Sequence, residues 1–150
     1  MDDNAKTEAL KKQFLVKGNE SLAAQLAAVA EVVSVPRDGV LIEEGDARNE
    51  IYFVLSGAFG VFLAGGQIGR REAGIHVGEM AMVDQGSKRS ATVAALEDSK
   101  AAKVTYEDFA RLANENPSLW HGIAIDLTRR IRQMNEWLAV NLKETVPEYD

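Results

Sequence analysis

The side chains with the most chemistry to offer sit in one segment, GEMAMVDQGSKRSAT, from Gly78 to Thr92. Glu79 follows a glycine, Arg89 comes ten positions later, and mostly small or apolar residues lie beside them. A carboxylate and a guanidinium in such company are at least partly desolvated, which is costly unless each finds a partner. Either the two neutralise each other, or a ligand enters and takes both.

The ligand reading can be built group by group. Gly78 lets the backbone pass close to a bound molecule. Glu79-Met80-Ala81-Met82 suits one short helical turn, whose free N–H groups attract a phosphate. Arg89 offers a planar fork matched to two phosphate oxygens, and Ser90 adds a hydroxyl donor. The Glu79 carboxylate only accepts, so it repels phosphate and holds a donor such as a sugar 2′-hydroxyl. A phosphate and a ribose hydroxyl recognised by one short segment describe a nucleotide in which both groups lie close together.

Other chemistries find less support. His76 and His121 lie 45 positions apart, and a metal site needs three or so converging histidine or carboxylate ligands. No metal is expected. The chain has no cysteine, which excludes disulfides, thiolate metal sites and a cysteine nucleophile. No Ser–His–Asp arrangement stands out, so an enzyme is not expected. A formal net charge of -6 weighs against nucleic acid and acidic membrane surfaces as partners. Arg129, Arg130 and Arg132 read as a solvated helix face paired with acids such as Asp126 and Glu136. No stretch approaches the roughly 20 apolar residues of a membrane helix. The acidic start, MDDNAKTEAL, lacks the core of a secretory signal, so a cytoplasmic protein is expected.

The elements that must position these residues follow from periodicity. At 150 residues the chain has the size of a single domain, 1–150. The expected fold class is α+β: a small antiparallel β-barrel or jelly roll flanked by N-terminal helices and a long C-terminal helix. Helices are predicted over about 5–33, where Leu22, Leu26, Val29 and Val33 form one stripe and Asn19 or Ser21 caps the start. VPRDG at 35–39 is a turn. The barrel is predicted over about 34–104. Its short β-rich runs lie on either side of Ser56-Gly57, after AGGQIG, and on either side of Glu97-Asp98. C-terminal helices are predicted over about 105–143. Thr105 opens them with a capping box, and Pro117 suits the first turn of the long last one. There Leu127, Ile131, Met134 and Leu138 are spaced 4, 3 and 4. That seam suits packing on the barrel or pairing with a second copy.

Gly78, Glu79 and Ala81, followed by Arg89, Ser90, Ala91 and Thr92, resemble the phosphate-binding cassette of cyclic nucleotide-binding domains. The likeness extends outward through GVLIEEGD, the Y-x-V-L-x-G hairpin of IYFVLSGAFGVF and the final DFARLANENPSLWHGIAIDLTRRI, covering about 30–136. His76-Val77 departs from it, in place of the aromatic usual before the glycine, and Lys88 stands where many members have proline. The resemblance implies that Glu79 holds the ribose 2′-hydroxyl and that Arg89 and Ser90 hold the cyclic phosphate. The backbone of Gly78, Met80 and Ala81 completes the cradle. It also implies that the last helix lids the base, with Met134 packing and Asn135 bonding an exocyclic amine, as in the bacterial catabolite-activator type.

The expected function is a stand-alone cyclic nucleotide receptor, a regulatory domain that signals through its C-terminal helix to a protein partner or a homodimer. Ser90 resembles cAMP-type cassettes, so cAMP is the first ligand expected; cGMP and cyclic pyrimidine nucleotides stay open. The 15 residues after Asn135 are too few for a helix-turn-helix, so DNA binding is not expected. The alternative is a protein-interaction module with the same fold and no ligand.

Overall fold

The computed structural model describes residues 1–142. In the run Ile51–Val54 every residue is buried, because its two faces serve two different cores. Ile51 and Phe53 point to a cluster shared with the helices. Tyr52 and Val54 point to one between two sheets. The period-2 alternation of a strand makes that division.

Among the described residues there are eight strands. In chain order they are β1 (Glu31–Val35), β2 (Val40–Ile42), β3 (Ile51–Ser56), β4 (Ala58–Leu63), β5 (Gly66–Glu72), β6 (His76–Val77), β7 (Thr92–Ala95) and β8 (Ser99–Val104). They form two four-stranded antiparallel sheets, ordered β1-β8-β3-β6 and β2-β7-β4-β5. This is a jelly-roll sandwich, not a closed barrel, with N-terminal helices and a long C-terminal one.

One expectation from the sequence changes here. The run around Ser56-Gly57 is not a hairpin, because β3 and β4 belong to opposite sheets. Gly57, at φ 80°, turns the chain across the sandwich, and a Cβ there would collide with the Ser99 hydroxyl. The strands on either side of Glu97-Asp98 are likewise split between the sheets. β4 and β5 do form a true hairpin, with Leu63 opposite Gly66. Ala64 and Gly65 both have positive φ, as a two-residue turn requires.

The N-terminal segment is also shorter in helix than predicted. It holds α1 (Asp3–Lys11) and α2 (Glu20–Val29), and residues 31–35 form β1. The valines at 32, 33 and 35 suit a strand, and β1 finds its hydrogen bonds on β8. Asn19 caps α2 by accepting from the Leu22 N–H. Lys6 closes the other end, donating to the carbonyls of Ala27 and Ala30.

Three helices remain: α3 (Met80–Val83), α4 (Tyr106–Glu115) and α5 (Ser118–Leu142). Thr105 caps α4 as expected, accepting from the Asp108 N–H. The start of α5 is held firmly. Leu119 and Ile123 are buried, and Gly122 lies so close to Leu15 that a Cβ would meet its side chain at 2.8 Å. Trp120 sits edge-on to Phe109, with ring centroids 5.5 Å apart. Beyond Arg130 the helix leaves the body of the domain, and residues 131–142 are all exposed. The seam through Ile131, Met134 and Leu138 therefore does not pack on the sandwich.

Candidate ligand-binding site

Gly78 links the end of β6 to α3 and has φ 86°. Any Cβ there would lie 2.8 Å from both the Glu50 carbonyl oxygen and Arg89 Nη1. Conformation and space both demand glycine. The bend it makes presents Glu79 as the N-cap of α3, followed by one helical turn, as the sequence predicts.

Arg89 is fastened from beneath. Its Nη2 donates to the Glu50 carbonyl at 2.6 Å and Nη1 to the Gly78 carbonyl at 3.3 Å. The Glu50 carboxylate lies 3.7 Å away. Two of the five guanidinium donors are thus used to hold the fork in place. Burial pushes the Arg89 pKa down, against the opposing pull of Tyr52, Glu50, Asp46 and Glu79. Arg89 is 7% exposed, and Glu79 is 2% exposed.

The two do not pair with each other. Glu79 Oε1 instead accepts from Arg130 Nη1 of α5, an ion pair between residues 51 positions apart. Arg130 Nη2 also lies 2.8 Å from Asp126 Oδ2, and His76 Nε2 lies 3.3 Å from the same oxygen. A continuous line, His76–Asp126–Arg130–Glu79, therefore ties α5 to the sandwich and to the cassette. For Asp126, burial raises the pKa. The hydrogen bond from His76 and the charges of Arg130, His76 and Arg71 outweigh it and hold the carboxyl below its usual value.

Ligand atoms of His76, Glu79 and Asp126 come within 4.8 Å of one another. Arg130 already supplies positive charge to both carboxylates, so the group reads as an ion-pair network. His76 is fully buried against Asp126.

One cavity of about 80 Å³ brings the cassette together. Gly78, Glu79, Met80, Ala81, Arg89 and Ser90 all line it. Met134 and Asn135 do not: they lie on the exposed part of α5, and Met134 is 62% exposed. Helix α5 lines the cavity through Arg130 and runs outward from there. Among the lining residues that escape a sequence reading are two arginines. Arg130 looked like one of three solvated arginines, but only tertiary contact turns it inward. Arg71 lies on β5, where it and Gly69 are half-buried between exposed neighbours; nothing in the run GQIGRRE marks it apart from Arg70. Of the other two arginines, Arg129 lies over the Phe14 ring at 5.2 Å.

The model of the cyclic nucleotide-binding domain family matches residues 32–116. The chain is 40% identical over 133 residues to the Pycsar effector protein BcPycTIR of Burkholderia cepacia, covering 89% of this chain and 44% of that protein. It is 24% identical over 106 residues to the cAMP-activated global transcriptional regulator CRP of Escherichia coli, covering 67% of this chain and 50% of the regulator. The chain thus spans half or less of the length of these curated relatives. The crystal structure of the Thermus thermophilus catabolite activator protein superposes with a TM-score of 0.74 at 27% identity, covering 85% of this chain and 62% of that one. The jelly roll, the cassette geometry and these likenesses agree: the chain belongs to the cyclic nucleotide-binding domain family.

Proposed function

We propose that this domain is the receptor for a cyclic mononucleotide and that it reports binding through α5. One observation carries the reading. Glu79 and Arg89 are both buried in one cavity, yet each is held by a different part of the protein, so acceptor and donor stand apart. Arg89, with Ser90 beside it, is placed for a cyclic phosphate, and Glu79 for the ribose 2′-hydroxyl. The cavity is small beside the ~300–1,000 Å³ of ordinary small-molecule sites. Arg130 fills the space next to Glu79, so ligand entry displaces or re-aims it. That step moves α5, whose exposed face at residues 131–142 then meets a partner or a second copy of the chain. The likeness of Ser90 to cAMP-type cassettes supports cAMP as the first ligand, with cGMP and cyclic pyrimidine nucleotides as alternatives. Relatives named as effectors support a domain that senses the nucleotide and controls an output elsewhere in its protein or assembly.

Calorimetry of cAMP, cGMP, cCMP and cUMP against the wild type and Arg89→Ala tests the reading. At least one nucleotide binds the wild type, and Arg89→Ala weakens it by about 10²–10³-fold. Equal binding by both proteins removes Arg89 from the site. The second reading is a ligand-free interaction module, favoured by the Arg130–Glu79 contact, which satisfies the carboxylate without a ligand. It predicts no thermal shift with any of the four.

A further inference from the structure

His76 is a buried ionisable group for which holding a nucleotide has no direct use. It lies on β6, fully buried, opposite Phe53 of β3. Its Nε2 is 3.3 Å from Asp126 Oδ2, and its Nδ1 has no hydrogen-bond partner among the described residues. Glu79, at the start of α3, brings a carboxylate oxygen within 4.8 Å of both the imidazole and the Asp126 carboxylate. From α5, Arg130 binds the two carboxylates. Arg71 of β5 acts on Asp126 through its charge alone. The imidazole thus faces two carboxylates whose direct counter-charge is a single guanidinium.

On the receptor reading, on which this inference rests, an entering nucleotide moves Arg130 off Glu79. Asp126 lies one turn nearer the buried start of α5 at Leu119 and Ile123, so it stays with His76 while Arg130 moves. The ribose 2′-hydroxyl that replaces the guanidinium at Glu79 donates a hydrogen bond but carries no charge. The phosphate brings none that helps, because it is negative and is met by Arg89. Two largely buried carboxylates are then short of one positive charge, which is costly. Histidine is the side chain that ordinarily gains a charge between about pH 5 and 8. We propose that nucleotide binding is proton-coupled: as Arg130 leaves, His76 takes up a proton from solvent and becomes the cation that balances Asp126 and Glu79. The proton goes to a ring nitrogen, and no other covalent bond changes. Because the complex holds more protons than the free domain, binding tightens as pH falls.

The test is calorimetry near pH 7 with cAMP, cGMP, cCMP and cUMP, each in phosphate and in Tris, whose different ionisation heats reveal linked protons. For a nucleotide that binds, the expected uptake is about 0.5–1 proton, and affinity should rise up to about tenfold per pH unit lowered. His76→Gln and Asp126→Asn should each bring the uptake close to zero. Arg130→Gln should do so too, because its His76 is charged before the nucleotide arrives. If these variants fail to fold, the wild type decides alone. The chain has two histidines, so imidazole nitrogen spectra separate buried His76 from exposed His121, and His76 should become doubly protonated on binding. Binding with no linked proton, proton release, or uptake that persists in folded His76→Gln overturns the coupling and leaves the receptor reading standing. No binding of any of the four nucleotides overturns both.

Discussion

The guanidinium of Arg130 on α5 binds the buried carboxylate of Glu79 and, with its other nitrogen, Asp126 one helical turn earlier. A helix that otherwise leaves the domain is thereby fastened to the residue expected to hold the ligand's sugar. Removing Arg130 leaves Glu79 buried and unpaired. Full burial would make that cost about 3–5 kcal/mol, but Arg130 is itself 27% exposed. Arg130→Ala is expected to destabilise the domain by about 2 kcal/mol in urea unfolding. Amide exchange should also quicken in α5 on either side of residue 130. Unchanged stability and exchange would show that the ion pair does not hold the helix.

Gly78 offers a second test, because two constraints meet there. A Cβ must enter the left-handed region and also approach the Glu50 carbonyl and Arg89 at 2.8 Å. Gly78→Ala should cost about 2 kcal/mol or more and displace Arg89, so nucleotide affinity falls together with stability. A variant that melts and binds like the wild type would mean that the cassette is less tightly built than its contacts indicate.

Asp126 makes stability depend on pH in a defined direction. Its folded pKa is depressed below 3.8. The stabilisation it provides is fully present above that unfolded value and is lost as pH falls through the lower folded one. Asp126→Asn should therefore melt below the wild type at neutral pH. The gap should narrow as pH drops below about 4. A gap independent of pH would assign the loss to packing, not to charge.

The exposed part of α5 carries Ile131, Met134, Trp137 and Leu138. The seam at Ile131, Met134 and Leu138 has coiled-coil spacing. We expect the wild type to sediment as a dimer and the double variant Ile131→Glu, Leu138→Glu as a monomer with its far-ultraviolet spectrum intact. A monomeric wild type would leave this face to a different protein.

Several features could be read directly because they are local. The Thr105 cap, the α2 cap that lay between Asn19 and Ser21, and the short helical turn through Met80 and Ala81 each depend on residues within a few positions. The cassette itself was legible for the same reason: its donors and acceptors lie in one segment. Strand existence was readable from β-branched runs, but strand partnership was not. Sequence neighbours such as β3 and β4 look like a hairpin, and only the sandwich assigns them to different sheets. The end of the N-terminal helices was also missed, because Val33 fits a helical stripe as well as it fits a strand beside β8.

By itself, the order of residues determined that an acid, a base and a glycine would share one pocket, since their chemistry and spacing are contained within a single loop. Tertiary structure alone decided which other charges join them. Arg71 reaches the cavity because β5 folds over Gly69, and Arg130 because the docking of α5 turns one arginine of three inward. The same docking angle carries Met134 and Asn135 away from the site. A helix can be read from its own periodicity, but the direction it leaves in is set by what its first turns are packed against.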